Sequence, residues 1–282
     1  MNLYLRRSVH LSVMLLSICI ASCTAGKFPF ARAYKAMNTA EKAITDSILL
    51  HALDHEALYT LCDTLKPMSS VKFYHLPMFS TNKQQQDSAI TALQNLQLLV
   101  NKLALKGDVQ FILNPFERAD SIYKNVELYV IRKSRLQSII NTHQNFYSRL
   151  GITSHTLAET ILAITEYENK YDRWRSYGYL FGYPDYAVDF FVNAGKSQDS
   201  TKEFVKRDFF QIPVYASSSG HFTYAMPKGH QPGVVDSLIY KRAAVTLNAY
   251  KYLRQKNITP TKMNTITLLK KLNKKYNHVN SK

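Results

Sequence analysis

Glycine is scarce in this chain, and its distribution limits the chemistry that the sequence can support. The 282 residues include nine glycines, which are scattered and form no loop of the kind that cradles a nucleotide phosphate. The order of predicted helices and strands also lacks the regular alternation of a doubly wound sheet. The sequence therefore excludes these two signatures of nucleotide binding, and we expect no cofactor.

Long hydrophobic runs are also scarce, and the one at the N-terminus is too short to cross a bilayer. Arg6 and Arg7 precede an apolar stretch from Val9 to Ile20. A membrane-spanning helix needs roughly 20 apolar residues. A short positive segment followed by an apolar run of this length is typical of an export signal.

The apolar stretch ends in Ile20, Ala21, Ser22 and Cys23. This string resembles the lipobox of bacterial lipoprotein precursors. The resemblance implies that residues 1–22 are a signal peptide that is removed, and that Cys23 carries lipid as the new N-terminus. The protein would then be exported and anchored to a membrane of the cell envelope, the outer membrane if the host has one. The alternative is an ordinary secretory peptide cut near Ala21 or Ala25.

Cysteine is rarer than glycine, with three in the chain. On the lipoprotein interpretation Cys19 leaves with the signal and Cys23 carries lipid, so Cys62 is alone and no internal disulfide can form. Cys62 follows an apolar helical stretch, which favours a buried, unreactive thiol over a reactive one.

Acidic residues are absent from the last sixth of the chain. Removing residues 1–22 takes Arg6 and Arg7 from the 36 basic residues, which leaves 34 against 20 acidic and a net charge of +14. None of the acidic residues follows Asp236, whereas the last 46 residues contain eleven basic ones. Such a surface attracts polyanions, and in an exported protein these are lipid headgroups or envelope polymers, not nucleic acid.

The periodicity predicts a mainly helical α+β protein, folded as one compact globular domain with a few short strands. We expect a lipidated tether over 23–37 and a globular domain over 38–282, with a boundary near 115–120 as the alternative. The predicted helices cover 38–49, 54–65, 87–105, 134–150, 154–177, 184–195, 234–256 and 260–276, with another after a capping box formed by Ser200 and Glu203. The predicted strands cover 71–76, 109–113, 126–131, 212–216 and 221–225, and one helix over 121–150 is an alternative to the third strand.

Four side chains from two neighbouring regions are candidates for ligand binding or catalysis. The irregular region 211–233 and the turn before it offer Tyr183, Asp185, His221 and Tyr224, although no nucleophile elbow is present and the catalytic residues are unknown.

The turn lies in the string from Tyr177 to Pro184, which resembles a Gly-Tyr/Phe-Pro turn in a family of uncharacterised small proteins. Two adjacent cysteines follow that turn in the family, but this chain has Tyr186 and Ala187 there. The resemblance therefore implies no cysteine chemistry and no activity, and core packing is favoured for the turn.

Two other patterns are interpreted structurally. Glu159, Glu166 and Arg173 recur every seven residues and are interpreted as the solvated face of the helix over 154–177, with Glu166 and Lys170 as an i,i+4 pair. His51 and His55 have a spacing that could hold a metal, but no third ligand is evident and no metal site is expected.

The last predicted helix separates apolar from basic side chains. On one side fall the apolar residues Ile266, Leu268, Leu269, Leu272 and Tyr276, and on the other fall Lys270, Lys271, Lys274 and Lys275. We therefore expect a lipid-anchored binding protein whose basic C-terminal face contacts an anionic lipid or envelope polymer. The alternative is an envelope enzyme, a hydrolase that uses the 211–233 loops.

The lipobox makes a direct prediction about anchoring. Replacing Cys23 by serine should abolish acylation and release the protein from membranes, because an oxygen cannot replace the thiol that receives the lipid. Metabolic labelling with a fatty-acid probe, followed by membrane fractionation, measures both effects. Incorporation of the probe that does not depend on Cys23 would contradict the lipoprotein interpretation.

Overall fold

A computed structural model of the protein describes residues 29–103, 107–119, 121–217, 222–259 and 262–277. Of the described residues, 59% are helical and 18% lie in strands, which confirms the predicted mainly helical α+β class. Cys23 and the string that resembles a lipobox, as well as His221, lie outside the described residues.

The first half of the fold places six helices around three strands. In chain order these elements are α1 (Pro29–Ala36), α2 (Thr39–Asp54), α3 (Leu58–Leu61), β1 (Met68–Leu76), α4 (Lys83–Leu103), β2 (Val109–Ala119), β3 (Lys124–Arg132), α5 (Lys133–Thr142) and α6 (Gln144–Tyr147). The second half contains α7 (Ala158–Tyr167), α8 (Lys170–Leu180), α9 (Asp185–Thr201), β4 (Arg207–Ile212), β5 (Phe222–Pro227), α10 (Val234–Asn257), β6 (Ile258–Thr259), β7 (Lys262–Met263) and α11 (Thr265–Asn277).

The central sheet is antiparallel, with β3 between β1 and β2. Successive side chains of a strand point to opposite faces, so each face can contribute to a different core. Leu128 and Val130 belong to the cluster that includes residues of α2, α4, α10 and α11. Tyr129 and Ile131 belong to a second cluster with residues of α5, α7 and α8. The sheet therefore separates two hydrophobic cores.

The start of α2 is the capping box predicted from Asn38 and Glu41, and this prediction is confirmed. The backbone N–H of Glu41 donates to Asn38 Oδ1 at 2.9 Å, and the Glu41 carboxylate accepts the Asn38 N–H at 3.0 Å. This reciprocal capping box satisfies two backbone donors that the first turn leaves unpaired. Preceding it, α1 lies within the segment predicted as a tether, and its Phe30 is buried in the first core.

The predicted single helix over 154–177 is wrong. The chain leaves the helical conformation at Glu168, and Asn169 then caps α8 by accepting the N–H of Asp172 at 3.2 Å. Apolar periodicity continued across the break, because both helices pack against the same sheet face. The Asn169 cap is a local sign that a new helix begins, and the spacing of apolar residues does not reveal it.

The chain between 184 and 216 also differs from the prediction. Helix α9 continues past Gly195 to Thr201, and no helix begins at Ser200, so the predicted capping box there is wrong. A side chain at position 195 would collide with the Trp174 ring, so this glycine permits close packing instead of ending a helix. Strand β4 occupies Arg207–Ile212, earlier than predicted, and pairs with β5.

Three further boundaries differ from the prediction. The helix predicted over 54–65 is reduced to α3, and the helix predicted over 134–150 is interrupted after Thr142. Strand β2 continues through Asn114 and Pro115, with an irregular register beyond Pro115. Strand β3 is formed as predicted, so the alternative of one helix over 121–150 is wrong.

Cys62 lies directly after α3 and is 2% exposed. Burial raises the pKa of its thiol, since the thiolate would lose its hydration. Cys62 should therefore react slowly with a polar maleimide in the native protein and rapidly in urea. A thiol-labelling time course in both conditions measures this, and equal rates would contradict the buried position.

Candidate functional site

Helix α11 presents its lysines to solvent, as the sequence predicts. Leu268, Leu269 and Leu272 are buried in the first core, so the apolar side of the helix packs on the domain. Lys270, Lys271 and Lys274 are exposed on the other side, and the side chain of Lys275 lies outside the described part of the chain. Lys271 Nζ donates to Asn257 Oδ1 at 3.0 Å.

The arginines of α10 have a different role from these lysines. Arg254 holds Asp54 through two bonds, from Nε to Oδ1 at 2.7 Å and from Nη2 to Oδ2 at 2.9 Å. Arg242 likewise pairs with Asp63, which is buried. By contrast, no carboxylate in the described part of the chain lies within ion-pair distance of Lys270 or Lys274. The arginines stabilise the fold, and the lysines leave their charge on the surface.

Helix α2 connects the beginning of the described chain to the basic helix. Asp46 of α2 is 8% exposed, and its Oδ2 accepts the hydroxyl of Tyr34 in α1 at 2.6 Å. Burial raises the Asp46 pKa, and the hydrogen bond from Tyr34 opposes that shift. Helix α11 also packs against α2, and its first residue, Thr265, is fully buried. Helices α1 and α11 therefore both contact α2.

The structure brings together two of the four residues predicted to bind a ligand. The rings of Tyr183 and Tyr224 lie 5.7 Å apart between centroids. Asp185 is separate, since it is exposed and its Oδ1 lies 3.4 Å from Nε2 of His143. The hydroxyl of Tyr224 donates to the buried Asp236, so Tyr224 is held within the fold. These contacts do not assemble a nucleophile and base, and His221 is outside the described residues.

Sequence reasoning missed a buried ion pair next to these tyrosines. Lys66 is fully buried, and its Nζ donates to Glu56 Oε2 at 2.6 Å. The ammonium group also lies over three aromatic rings, 4.2 Å from the centroid of Phe222, 5.3 Å from Phe181 and 5.8 Å from Tyr183. Burial lowers the Lys66 pKa, and Glu56 opposes that shift. In the sequence, Lys66-Pro67 indicated the end of a helix, which gives no sign of this partner.

The turn between α8 and α9 positions the rings around Lys66. Gly182 adopts a left-handed conformation with φ of 76°, and a Cβ there would lie 2.8 Å from Cδ of Pro67. Glycine therefore allows the turn to approach the chain segment that carries Lys66. The predicted packing role of the Gly-Tyr-Pro turn agrees with this contact.

Two more glutamates lie near this pair, each bound by a tyrosine. Tyr129 donates to Glu127 Oε2 at 2.6 Å, and Tyr177 donates to Glu166 Oε2 at 2.6 Å. Burial raises the Glu127 pKa, and the charges of Glu56 and Glu166 raise it further. Burial raises the pKa of both tyrosines as well, so they remain hydrogen-bond donors.

The solvated-face interpretation of Glu166 is therefore wrong. Glu166 is 6% exposed, and its other oxygen accepts the N–H of Glu117 at 3.1 Å. Lys170 pairs with Asp199 instead of Glu166. Because the helix ends at Tyr167, Glu166 and Arg173 lie on two different helices. The Arg173 guanidinium instead bonds the carbonyl of Glu166 at 2.9 Å and the carboxylate of Glu117 at 2.7 Å.

The described residues contain neither a cluster of metal ligands nor a helix that could span a membrane. No group of three histidine, cysteine or carboxylate side chains in the described ranges could hold a metal ion. The rings of His51 and His55 lie 4.0 Å apart between centroids. None of the helices in the described ranges has the length and apolar character needed to cross a bilayer.

The Lys66 pair makes a prediction about stability. Glu56→Gln keeps an oxygen that can accept the N–H of Ser70, which bonds Glu56 Oε1 at 3.1 Å, but removes the charge that faces the ammonium. An unpaired buried charge costs about 3–5 kcal/mol. We expect a loss of this size in urea unfolding, and partial recovery when Lys66→Met is added. A loss below about 0.5 kcal/mol, as at an ordinary surface site, would contradict the burial of the pair.

Comparisons with protein-family models, curated protein sequences and solved structures give no match for this chain. They therefore supply no activity, ligand or partner.

Proposed function

We propose that this protein is a cell-envelope lipoprotein, anchored through lipid on Cys23, whose folded domain binds an anionic membrane surface through the outer lysines of α11. The observation that carries the proposal is that α1, which follows the anchor segment, and the basic helix α11 both pack against α2. This arrangement supports a domain in which the anchored end and the basic helix approach the same surface.

The length of chain between the anchor and the domain supports this arrangement. Five residues lie between Cys23 and Pro29, where α1 begins, so six Cα–Cα steps join the two. A fully extended chain covers at most ~3.6 Å per residue, so this segment spans at most about 20 Å. A domain tethered this closely keeps its nearest charges within a few Debye lengths of the surface, each about 8–10 Å.

Charge supplies the attraction. A basic residue near an anionic leaflet contributes about 1 kcal/mol. Lys270, Lys271 and Lys274 are exposed on one side of α11, and Lys275 follows in the same helix. These lysines together would contribute a few kcal/mol at contact. That is weak for a soluble protein but sufficient to orient a domain that its lipid already holds at the membrane.

This proposal predicts salt-sensitive binding by the chain without its lipid. Residues 24–282 should co-sediment weakly with vesicles that contain anionic phospholipid, and should dissociate by about 0.5 M salt, where the screening length is only a few Å. Replacing Lys270, Lys271, Lys274 and Lys275 by glutamine should remove most of the binding. Equal binding to neutral and anionic vesicles, or none at low salt, would contradict the proposal.

A matched variant distinguishes a specific role of the α11 lysines from an effect of net charge alone. Lys72, Lys83, Lys196 and Lys206 are exposed lysines outside α11, and their replacement by glutamine removes the same charge. This control variant should retain most of the vesicle binding. If both variants lose binding equally, the attraction comes from overall charge and α11 has no special role.

A further inference from the structure

Helix α10 exposes apolar side chains on the side that does not pack on the domain. Its 24 residues extend over about 36 Å, at 1.5 Å per residue. Ala243, Leu247 and Tyr250 are buried in the first core. On the outer side, four apolar residues are more than half exposed, namely Val234 at 77%, Leu238 at 60%, Val245 at 62% and Tyr252 at 58%. An apolar surface of this kind, rimmed by polar residues, is typical of an interaction site.

The exposed residues have the spacing of a coiled-coil seam. They follow one another at alternating intervals of four and three and form the outer stripe of α10: Val234, Leu238, Lys241, Val245, Asn248, Tyr252 and Gln255. These intervals repeat every seven residues, which is the repeat by which two helices pack along their length. A helix side that faces only water needs no apolar residue at these positions. The spacing therefore favours a second helix as the occupant.

The polar members of the outer stripe also favour a helix over lipid. Lys241, Asn248 and Gln255 lie between the apolar residues. Hydrocarbon offers no hydrogen-bond partner, so inserting these groups into a bilayer is costly. In a coiled coil, by contrast, a polar residue in the seam is tolerated and fixes the register of the two helices. Asn248 and Gln255 can both donate to and accept from side chains of a partner helix.

Charge beside the outer stripe determines the chemistry of the partner. Lys251 and Lys256 are exposed on α10 at its flanks, and Lys241 lies within it. Asp236 is buried, and no acidic residue follows it in the sequence. A second copy of the chain would add its own excess of basic residues to the interface. Carboxylates on a partner helix would instead meet charges of opposite sign, so charge complementarity favours an acidic partner.

We propose that the outer stripe of α10 binds an acidic amphipathic helix of a partner protein. Apolar residues of the partner, at the same alternating intervals, pack against Val234, Leu238 and Val245. Glutamate or aspartate beside them pairs with Lys251 and Lys256, in the way that flanking charges select partners in coiled coils. The surface is separate from the α11 lysines, and the inference does not depend on membrane binding.

The test uses the full chain and two designed peptides, each about four heptads long, with leucine at both seam positions. One carries glutamate at the flanking positions and the other lysine. Fluorescence anisotropy should show saturable binding of the glutamate peptide, and binding of the lysine peptide at least about tenfold weaker. Leu238→Ser combined with Val245→Ser should weaken binding of the glutamate peptide about tenfold. The matched control, Ile44→Ser combined with Leu98→Ser, changes exposed apolar residues of α2 and α4 and should leave it unchanged.

A charge-matched pair of variants tests the lysines. One variant replaces three lysines of α10 by glutamine: Lys241, Lys251 and Lys256. The other removes the same charge from α11: Lys270, Lys271 and Lys274. The α10 variant should weaken binding of the glutamate peptide about tenfold at low salt, and the α11 variant should change it less than about twofold.

Each contrary outcome overturns the proposal. These outcomes are no saturable binding of the glutamate peptide at high micromolar concentration, equal binding of both peptides, or equal weakening by a variant and its matched control. Dimerisation in sedimentation that the α10 serine variant abolishes would assign the outer stripe to a second copy, and loss of vesicle binding by that variant would assign it to lipid. Circular dichroism confirms that the variants are folded. Because the serine variant should bind anionic vesicles normally, failure of the membrane proposal and failure of this one are distinguishable.

Discussion

The ion pair between Lys66 and Glu56 connects parts of the fold that no regular hydrogen-bond ladder joins. Glu56 lies between α2 and α3 and also accepts the N–H of Ser70 in β1. The ammonium group lies over rings from the α8–α9 turn and from β5. A fully buried ammonium cannot be left without its carboxylate, so these four segments have to assemble together. The packing of Tyr183 between Lys66 and Tyr224 depends on that assembly.

The central sheet extends this constraint to the basic helix. Its first face supports the core on which α10 and α11 pack, so the lysines of α11 are displayed because Leu268, Leu269 and Leu272 are buried beneath them. Its second face is covered by α7 and α8 over Tyr129 and Ile131, and solvent reaches the part that carries Phe73. One sheet thus supports two separate cores, and the basic helix packs on the first of them.

Local patterns in the sequence predicted much of this fold, and long-range contacts were beyond them. The Asn38 capping box and the amphipathic α11 follow from neighbouring residues, so the sequence alone was sufficient. Glu166 was assigned to a solvated face, because a helical wheel cannot show that the chain breaks at Asn169 or that Tyr177 bonds the carboxylate. Lys66 and Glu56 are ten positions apart, in segments whose meeting depends on the tertiary fold. The sequence prediction placed Tyr183, Asp185 and Tyr224 in one site. Only the tertiary fold shows that the two tyrosines are in contact and that Asp185 lies beside His143 instead.

The contrast between arginine and lysine in the C-terminal region follows from their chemistry. The planar guanidinium of Arg254 forms two directed bonds to Asp54, a geometry that an ammonium group cannot reproduce. Arginine therefore occupies the positions of α10 that join it to the last residue of α2 and to the loop after α3. Lysine carries its charge on a flexible, strongly hydrated group and occupies the outer side of α11, where no fixed partner is required. Because acidic residues are absent after Asp236, that side has no nearby carboxylate in its own segment to neutralise it. In this C-terminal region the arginines thus hold the fold together, and the lysines keep their charge available to a surface outside the protein.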